Sequence, residues 1–231
     1  MILKVAAINR IDILPKIYFA VATLLIAAEL FDLKQIIFIF KPFLIPILML
    51  LYVLKSSRKN PLYLASLVFA LLSNIFFIYT TPKLIVYGII AFMMYRLLTI
   101  FLVLKITKKP LLVPFLIATM PFIFIFSCLL NLTLPPDAPA FFPAVVNGLL
   151  ISCLAGISLS NYIMNDNKAN SWFAISTLFF VVLVFLFMIQ KYYMPNVVFQ
   201  PISALMFTLG HYTFYKFVIE AEKSTPEEIK Q

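Results

Sequence analysis

The sequence predicts an all-α fold, a polytopic membrane helical bundle of about eight transmembrane helices. Of the 231 residues, 64% are hydrophobic and only 12% are charged, whereas soluble domains carry about 25% charged residues. Long apolar runs also recur along the whole chain, which is typical of membrane spans. A chain of this composition has too few charged side chains to cover a surface that faces water, so we expect an integral membrane protein.

A helix needs about 20 mostly apolar residues to cross the hydrocarbon core. Eight runs of about this length follow one another, at residues 15–31, 35–54, 61–80, 84–104, 110–130, 142–164, 172–189 and 197–219. The connections between them are short, so residues 1–231 are predicted to form one membrane domain. Residues 1–14 are predicted either to lie on the membrane surface as an amphipathic segment or to be disordered, and residues 220–231 to form a polar tail.

Lysine and arginine residues in the connections predict the orientation of the bundle. With the N-terminus inside, the inner face holds twelve of them: Lys4, Arg10, Lys16, Lys55, Arg58, Lys59, Lys105, Lys108, Lys109, Lys168, Lys223 and Lys230. The outer face holds three: Lys34, Lys83 and Lys191. Because basic residues concentrate in cytoplasmic loops, both termini are predicted to be cytoplasmic, in the inner (plasma) membrane of a bacterium. Nucleic acid is not expected as a partner, since no nucleic-acid-binding motif is present.

Three basic residues and one acid remain inside the apolar runs: Lys41, Arg96, Lys216 and Glu29. A charge within a span costs about 2.5–3.5 kcal/mol on insertion scales, so each of these residues is a candidate functional residue. Lys216 lies near the inner end of its run and can extend its ammonium group to the lipid headgroups. Arg96 lies too deep for this, so its side chain is predicted to face the interior of the bundle.

Glu29 and Lys41 are predicted to form an ion pair. They lie near the outer ends of two successive runs, which the short connection at residues 32–34 makes antiparallel neighbours. The pair is interpreted either as a lock on this helical hairpin or as part of a polar pocket. Pro42 and Pro46 have no backbone N–H, so they leave carbonyl groups free for such a pocket.

Uncharged polar residues occur in several of the runs. They are Ser73, Asn74, Asn147, Ser176, Thr177, His211, Tyr212 and Tyr215. A hydrogen bond between helices, worth roughly 1 kcal/mol, explains any one of them, but together they favour a polar pocket inside the bundle. No cofactor and no metal are expected, because His211 has no second histidine, cysteine or acid at the spacing of a metal site.

The order of these features resembles the lysoplasmalogenase-like (YhhN) family of eight-span membrane proteins. The family pattern has a Lys-Pro pair in span two, which Lys41-Pro42 in "FKPFLIP" matches. The last span of the family carries a tyrosine and, four positions later, a polar residue. Here "HYTFYKFVI" fits loosely, with Tyr212 and with Lys216 where glutamine is usual. The resemblance covers most of the chain and implies the fold of that family.

The resemblance also implies departures from the family pattern. Its enzymes hydrolyse the vinyl ether bond of lysoplasmalogens, a reaction that needs an acid and a base such as two carboxylates. Asn74 stands where the family has an aspartate in span three, and Ser176-Thr177 stand where it has a Ser-Asp pair in span seven. In span four, Tyr95-Arg96 replace a Gly-His that precedes a tyrosine. Neither Asn nor Thr exchanges protons at accessible pH, so the resemblance implies that the carboxylate pair is lost.

The first hypothesis for the function is a divergent, non-catalytic family member with a polar intramembrane pocket. It would bind a membrane lipid, in particular a lysolipid-like ligand, or a membrane protein partner. The candidate ligand-binding residues are Lys41, Asn74, Arg96, Asn147, Thr177 and Tyr212. Lys41 and Arg96 would hold an anionic headgroup through charge-assisted hydrogen bonds.

Two alternatives stay open. One is an active hydrolase for lysoplasmalogens, with Glu29 and His211 as candidate catalytic residues. The other is a small transporter of an anionic or lipid-like substrate, which interrupted spans and buried cations suit. The sequence shows no clear internal repeat and only four glycines, which argues against large hinge motions and hence against the transporter.

Overall fold

The computed structural model describes residues 2–79 and 81–223, and most of this part of the chain is helical. The helices are α1 (Ile2–Leu30), α2 (Lys34–Phe40), α3 (Leu44–Lys55), α4 (Pro61–Phe76), α5 (Pro82–Ile106), α6 (Leu112–Thr133), α7 (Phe141–Met164), α8 (Lys168–Tyr192) and α9 (Phe199–Lys223). A 3₁₀ turn at Lys41–Phe43 joins α2 to α3. The all-α fold class is confirmed, and each predicted run corresponds to one helix or, for α2 and α3, to a helix pair.

Six of these segments are long and apolar enough to cross a membrane. They are Ile13–Leu30, Lys34–Lys55, Pro82–Ile106, Leu112–Thr133, Phe141–Met164 and Lys168–Tyr192. Helix α4 is apolar but has only 16 residues, because the chain turns after Phe76 instead of continuing as a helix to residue 80. Helix α9 is less apolar and carries several charged residues in its last turns. The protein is therefore an integral multi-pass membrane protein, with six helices that meet the criterion and α4 and α9 completing the bundle.

The two ends of the chain extend the predicted spans. Helix α1 begins at Ile2, so residues 2–14 of the predicted surface segment are continuous with the first span, and the position of the segment on the membrane stays a prediction. The predicted polar tail begins inside α9, which ends at Lys223. Residues 224–231 of that tail lie outside the described residues.

The bundle is built from helical hairpins. Helix α4 packs along α5, α6 along α7, and α8 along α9. Helix α9 also contacts α1 and α3, while α7 contacts α5 and α8. Helix α6 lies at the periphery, and it exposes large apolar side chains such as Ile117 and Phe124, which is expected of a helix that faces lipid.

The same kind of hydrogen bond joins the two helices within each of two hairpins. In the α4–α5 hairpin, Ser73 Oγ donates to the backbone carbonyl of Gly88 at 2.9 Å. In the α8–α9 hairpin, Ser176 Oγ donates to the carbonyl of Gly210 at 3.0 Å. Hydroxyl-to-carbonyl bonds of this kind hold neighbouring helices together where no water is present to compete.

In each of these two hairpins, a glycine of one helix also packs against a phenylalanine ring. A Cβ atom on Gly88 would lie 2.5 Å from the ring of Phe77, and one on Gly210 would lie 2.9 Å from the ring of Phe180. Each phenylalanine follows its hairpin's serine by four residues, so one helical turn presents both groups to the neighbouring helix. The two hairpins therefore have the same local contact between their helices.

Three of the segments predicted to face the cytoplasm, at the end of α3, the start of α8 and the end of α9, lie on one side of the bundle. Near the end of α9, Glu222 accepts hydrogen bonds from Tyr52 Oη at 2.5 Å and from Ser56 Oγ at 2.7 Å, both at the end of α3. At the start of α8, Lys168 Nζ lies 3.6 Å from Glu220 Oε1. This arrangement agrees with the predicted order of the connections, while the direction of the bundle in the membrane stays a prediction.

Candidate functional site

The helices enclose a cavity of about 700 Å³ near the ends that were predicted to face outward. Residues in or beside the connections border it, among them Asp32, Tyr79, Thr81 and Gln200. Side chains from all the hairpins line its walls, because the hairpins pack around it. Its volume lies within the range of about 300–1,000 Å³ that is usual for pockets that bind small molecules.

An ion pair lies in one wall of this cavity. Lys41 Nζ donates to Glu29 Oε1 at 3.0 Å, so the predicted ion pair is confirmed. The side chains are 21% and 7% exposed, respectively, and both line the cavity. Lys41 is the first residue of the 3₁₀ turn and Glu29 is next to the last residue of α1. The pair therefore fixes the break between α2 and α3 against the first helix.

Asn74 on α4 lies beside this pair. Its Nδ2 atom donates to the backbone carbonyl of Lys41 at 2.7 Å, and its side chain lines the cavity. The carbonyl lies at the 3₁₀ turn that contains Pro42, where the regular helical hydrogen-bond pattern is interrupted. That bond uses one N–H of the amide, so the other N–H and the acceptor Oδ1 stay available for further contacts.

Arg96 on α5 lies directly behind another part of the wall and is only 1% exposed. Its Nη1 atom donates to the backbone carbonyl of Asn147 at 3.1 Å and to Asn147 Oδ1 at 2.8 Å. Its guanidinium carbon lies 4.6 Å from the ring centre of Phe92. Asn147 and Phe92 both line the cavity. Arg96 Nη2 has no hydrogen-bond partner among the residues that the structure describes.

His211 on α9 lies away from the cavity lining. Its ring packs against those of Tyr95, Phe180 and Phe207, with distances between ring centres of 5.1, 5.0 and 4.3 Å. Its Nε2 atom has no hydrogen-bond partner within the described part of the chain. His211 is thus held in an aromatic environment and is not among the residues that line the cavity, and its catalytic role stays a prediction.

Thr177 and Tyr212 are also not among the residues that line the cavity. Thr177 Oγ1 donates to the carbonyl of Phe173 in its own helix at 2.8 Å. Tyr212 stacks on Tyr18 of α1, with 5.8 Å between ring centres. Of the residues predicted to bind a ligand, Lys41, Asn74 and Asn147 line the cavity and Arg96 lies behind it, while contact of Thr177 and Tyr212 with a ligand stays a prediction.

The structure adds polar residues of α8 and α9 to the site. Gln190, Lys191, Gln200 and Ser203 line the cavity. The sequence placed Lys191 in a connection, but α8 continues to Tyr192, so Lys191 lies in the last turn of the helix. Its only signal in the sequence is that it is one of three basic residues predicted to lie on the outer face.

Fold and site together define the class of this protein: an α-helical, multi-pass membrane protein with a largely apolar cavity between its helices. The sequence model of the YhhN family matches residues 36–218. The chain therefore belongs to the YhhN family, as its Lys41-Pro42 pair suggested. Glu29 lies outside the matched residues and Lys41 within them. No match to the chain was found among curated proteins or among solved structures.

Proposed function

We propose that this YhhN-family protein binds a lysolipid-like amphiphile, a polar headgroup with one hydrocarbon chain, in the cavity between its helices. The observation that carries the proposal is the cavity of about 700 Å³, which combines the Glu29–Lys41 ion pair with aromatic and aliphatic walls. Small-molecule sites are typically apolar pockets with a few placed polar groups of this kind.

The polar groups suit a headgroup. Lys41 and Lys191 supply ammonium groups, while Gln190 and Gln200 supply amides near the rim of the cavity. These residues lie near the ends of helices or beside connections, where a headgroup has access to the membrane surface. An ammonium group forms charge-assisted hydrogen bonds with a phosphate, which are stronger than bonds between neutral groups.

The apolar walls suit a hydrocarbon chain. Phe92, Phe126, Leu129, Leu183 and Phe187 also line the cavity. On α8 alone, the lining extends from Leu183 to Lys191, and a helix rises about 12 Å over that length. Burying a hydrocarbon chain contributes about 0.8 kcal/mol for each CH₂ group that leaves water, but an amphiphile already in the bilayer gains less. We therefore assign selectivity to the polar groups.

A lipid is favoured over a protein partner as the occupant, because the polar groups line a concave cavity between helices. Protein partners in a membrane pack against outward helix faces that carry small residues. Exposed side chains of α6 such as Ile117 and Phe124 are instead large and apolar.

Equilibrium binding of a fluorescent single-chain lysophospholipid to the purified protein in nanodiscs tests the proposal. Saturable binding, displaced by an unlabelled lysophospholipid, is expected. Ala144→Leu adds bulk at a buried position of the lining and is expected to lower affinity at least tenfold. Leu149→Phe adds bulk at an exposed position of the same helix and serves as the matched control. Non-saturable partitioning equal to that of empty nanodiscs would contradict the proposal.

A second candidate function is hydrolysis of the vinyl ether bond, because Glu29 places one buried carboxylate in the cavity. The reaction needs both an acid and a base, and Glu29 is a single carboxylate that is already engaged in the ion pair with Lys41. Release of aldehyde from a lysoplasmalogen decides between the two functions. Activity that Glu29→Gln abolishes would identify an enzyme. Activity only after Asn74→Asp and Thr177→Asp are combined would identify a binding protein derived from one.

A further inference from the structure

The ionisable residues that line the cavity do not balance in charge. Lys41 pairs with Glu29 at 3.0 Å, and Lys34 lies 4.0 Å from Asp32 at the exposed rim. Lys191, in the last turn of α8, also lines the cavity. Within the described part of the chain, no carboxylate oxygen lies within 4.0 Å of its ammonium group. Glu29 and Lys41 both act electrostatically on Lys191, so this group of one acid and two lysines keeps a net positive charge.

Arg96 adds a second uncompensated charge behind the wall. Among residues 13–79 and 81–223, no carboxylate oxygen lies within 4.0 Å of its guanidinium group. Its Nη1 atom uses both of its hydrogen bonds on Asn147, and its Nη2 atom has no partner in that part of the chain. A guanidinium at 1% exposure is removed from water, so its field is weakly screened and reaches into the cavity.

The contact with Arg96 also decides which end of the Asn147 amide faces a ligand. Asn147 Oδ1 accepts from Arg96 Nη1 at 2.8 Å, so the acceptor end of the amide is turned toward the guanidinium. The Nδ2 group, a donor, is left for the cavity that Asn147 lines. A donor that is polarised by a buried cation is a binding group for an anion.

We propose that the ligand is an amphiphile with a net negative charge, whose acidic group is a phosphate monoester or a carboxylate. This inference rests on the proposed function. Asn147 and Lys191 would bind or attract this group, and Arg96 would act as a positioning residue that orients and polarises Asn147. A zwitterionic headgroup compensates its own phosphate, so it would leave the charges of Lys191 and Arg96 unbalanced. The acceptor of Asn74 suits a neutral hydroxyl group on the same ligand.

The test compares lipids that share one oleoyl chain and differ in the polar end. The set is an acylglycerol 3-phosphate, oleate, the choline lysophospholipid and monooleoylglycerol, each titrated into the full chain in nanodiscs of neutral lipid. The two anionic lipids are expected to bind at least tenfold more tightly than monooleoylglycerol, since a hydrogen bond with a charged group is typically worth more than one tenfold step in affinity. Whether the phosphate lipid or oleate has the higher affinity identifies which acidic group the site prefers.

The next measurement is the ratio of the affinity for an anionic lipid to the affinity for monooleoylglycerol, in variants that remove one positive charge. Arg96→Gln and Lys191→Gln are each expected to lower this ratio at least fivefold. Lys83→Gln is the matched control, because Lys83 lies on the outer end of α5 and does not line the cavity. A variant that only loosens the fold would weaken both lipids equally and leave the ratio unchanged.

Asn147→Asp tests the idea even if Arg96→Gln does not fold. The carboxylate would keep the hydrogen bond with Arg96 Nη1, supply its missing counter-ion and remove the donor from the cavity. It is therefore expected to raise the temperature of unfolding and to abolish the preference for anionic lipids. A stabilised Asn147→Asp protein that still prefers them would overturn the inference.

The outcomes separate this inference from the proposed function. Tighter binding of the anionic lipids, lost in Arg96→Gln or Asn147→Asp, supports both. Equal affinities for the phosphate, the carboxylate and the neutral lipid would overturn the inference and leave the proposed function standing. If none of the four lipids binds saturably, both are wrong.

Discussion

Lys41 Nζ lies 3.0 Å from Glu29 Oε1, and this ion pair connects the end of α1 to the break between α2 and α3. The same lysine accepts a hydrogen bond at its backbone carbonyl from Asn74 of α4. One residue thus ties together three helical segments at the wall of the cavity. The Lys41-Pro42 pair therefore has a structural role, whatever the ligand: the proline interrupts the helix and the lysine secures the interruption.

Removing one member of the ion pair is expected to destabilise the protein. Lys41→Met keeps the apolar stem but leaves Glu29 as an unpaired carboxylate at 7% exposure. Breaking a fully buried pair costs about 3–5 kcal/mol, and we expect about 2 kcal/mol here because Lys41 is partly exposed. Thermal unfolding in detergent, followed by the fluorescence of Trp172, measures the change.

A double-mutant cycle supplies the control for this prediction. Glu29→Gln with Lys41→Met removes both charges, so the double variant is expected to be more stable than Lys41→Met alone. If the effects of the two substitutions on stability simply add, the two side chains do not interact and the predicted contribution of the ion pair to stability is wrong.

Helices α6 and α7 are expected to separate if Gly156 gains a side chain. A Cβ atom there would lie 2.9 Å from Thr119 Cβ and 3.1 Å from its Cα, so the backbone of α6 has to move. Overpacking of this kind costs about 1–3 kcal/mol. Gly156→Ala should therefore lower the temperature of unfolding, measured as above.

Gly148→Ala in the same helix is the matched control for Gly156→Ala. Its Cβ atom would meet Phe126 Cβ at 3.6 Å, which is an ordinary contact. Alanine also favours a helix over glycine by about 0.5–1 kcal/mol. Gly148→Ala is thus expected to be neutral or slightly stabilising. Equal losses of stability in the two variants would show that the close approach is not specific to Gly156.

Much of the fold could be predicted from the sequence because the length of an apolar run is set by the thickness of the bilayer. The end of α4 could not be predicted this way. Apolar residues continue to Tyr79, yet the chain must reverse before Pro82, the first residue of α5. Apolar composition does not distinguish the last helical turn from an apolar connection, so the predicted run was four residues too long.

The site was predictable only where chain neighbours form it. A short connection forces α1 and α2 together, which is why the Glu29–Lys41 pair was found. Arg96 and Asn147 are 51 residues apart, and nothing in the sequence says which helices pack on one another. For the same reason, His211 was recognised as a polar residue of the last run but could not be assigned to a face of α9. A polar residue in an apolar run indicates burial and does not identify the cavity that it faces.

Glu222 is expected to hold the α3–α4 connection closed. It accepts hydrogen bonds from Tyr52 and Ser56, and Ser56 Oγ in turn accepts from the backbone N–H of Lys59 at 2.8 Å. Hydrogen bonds to a charged group contribute about 1.5–3 kcal/mol, so Glu222→Gln should open the connection more often. Trypsin cleavage at residues 55–59 is expected to become about tenfold faster.

Glu220→Gln is the control for the trypsin experiment. Glu220 pairs with Lys168 and Lys223, whose side chains are largely exposed, and such surface pairs contribute about 0–1 kcal/mol. Its cleavage rate should stay close to that of the wild type. Unchanged cleavage in Glu222→Gln would mean that the carboxylate does not restrain this connection.

The repeated glycine contact predicts two different outcomes from one substitution. In Gly88→Ala the new Cβ atom meets the ring of Phe77, which lines the cavity and has room to move into it. This variant is expected to keep most of its stability and to lose at least fivefold in lysolipid affinity, because the ring then fills part of the cavity.

In Gly210→Ala the new Cβ atom meets Phe180, which is enclosed on all sides and has no space to move. That variant should lose about 1–3 kcal/mol of stability. Unfolding temperature and lipid affinity, measured on both variants, decide the matter: the same pattern in both would show that Phe77 does not have access to the cavity.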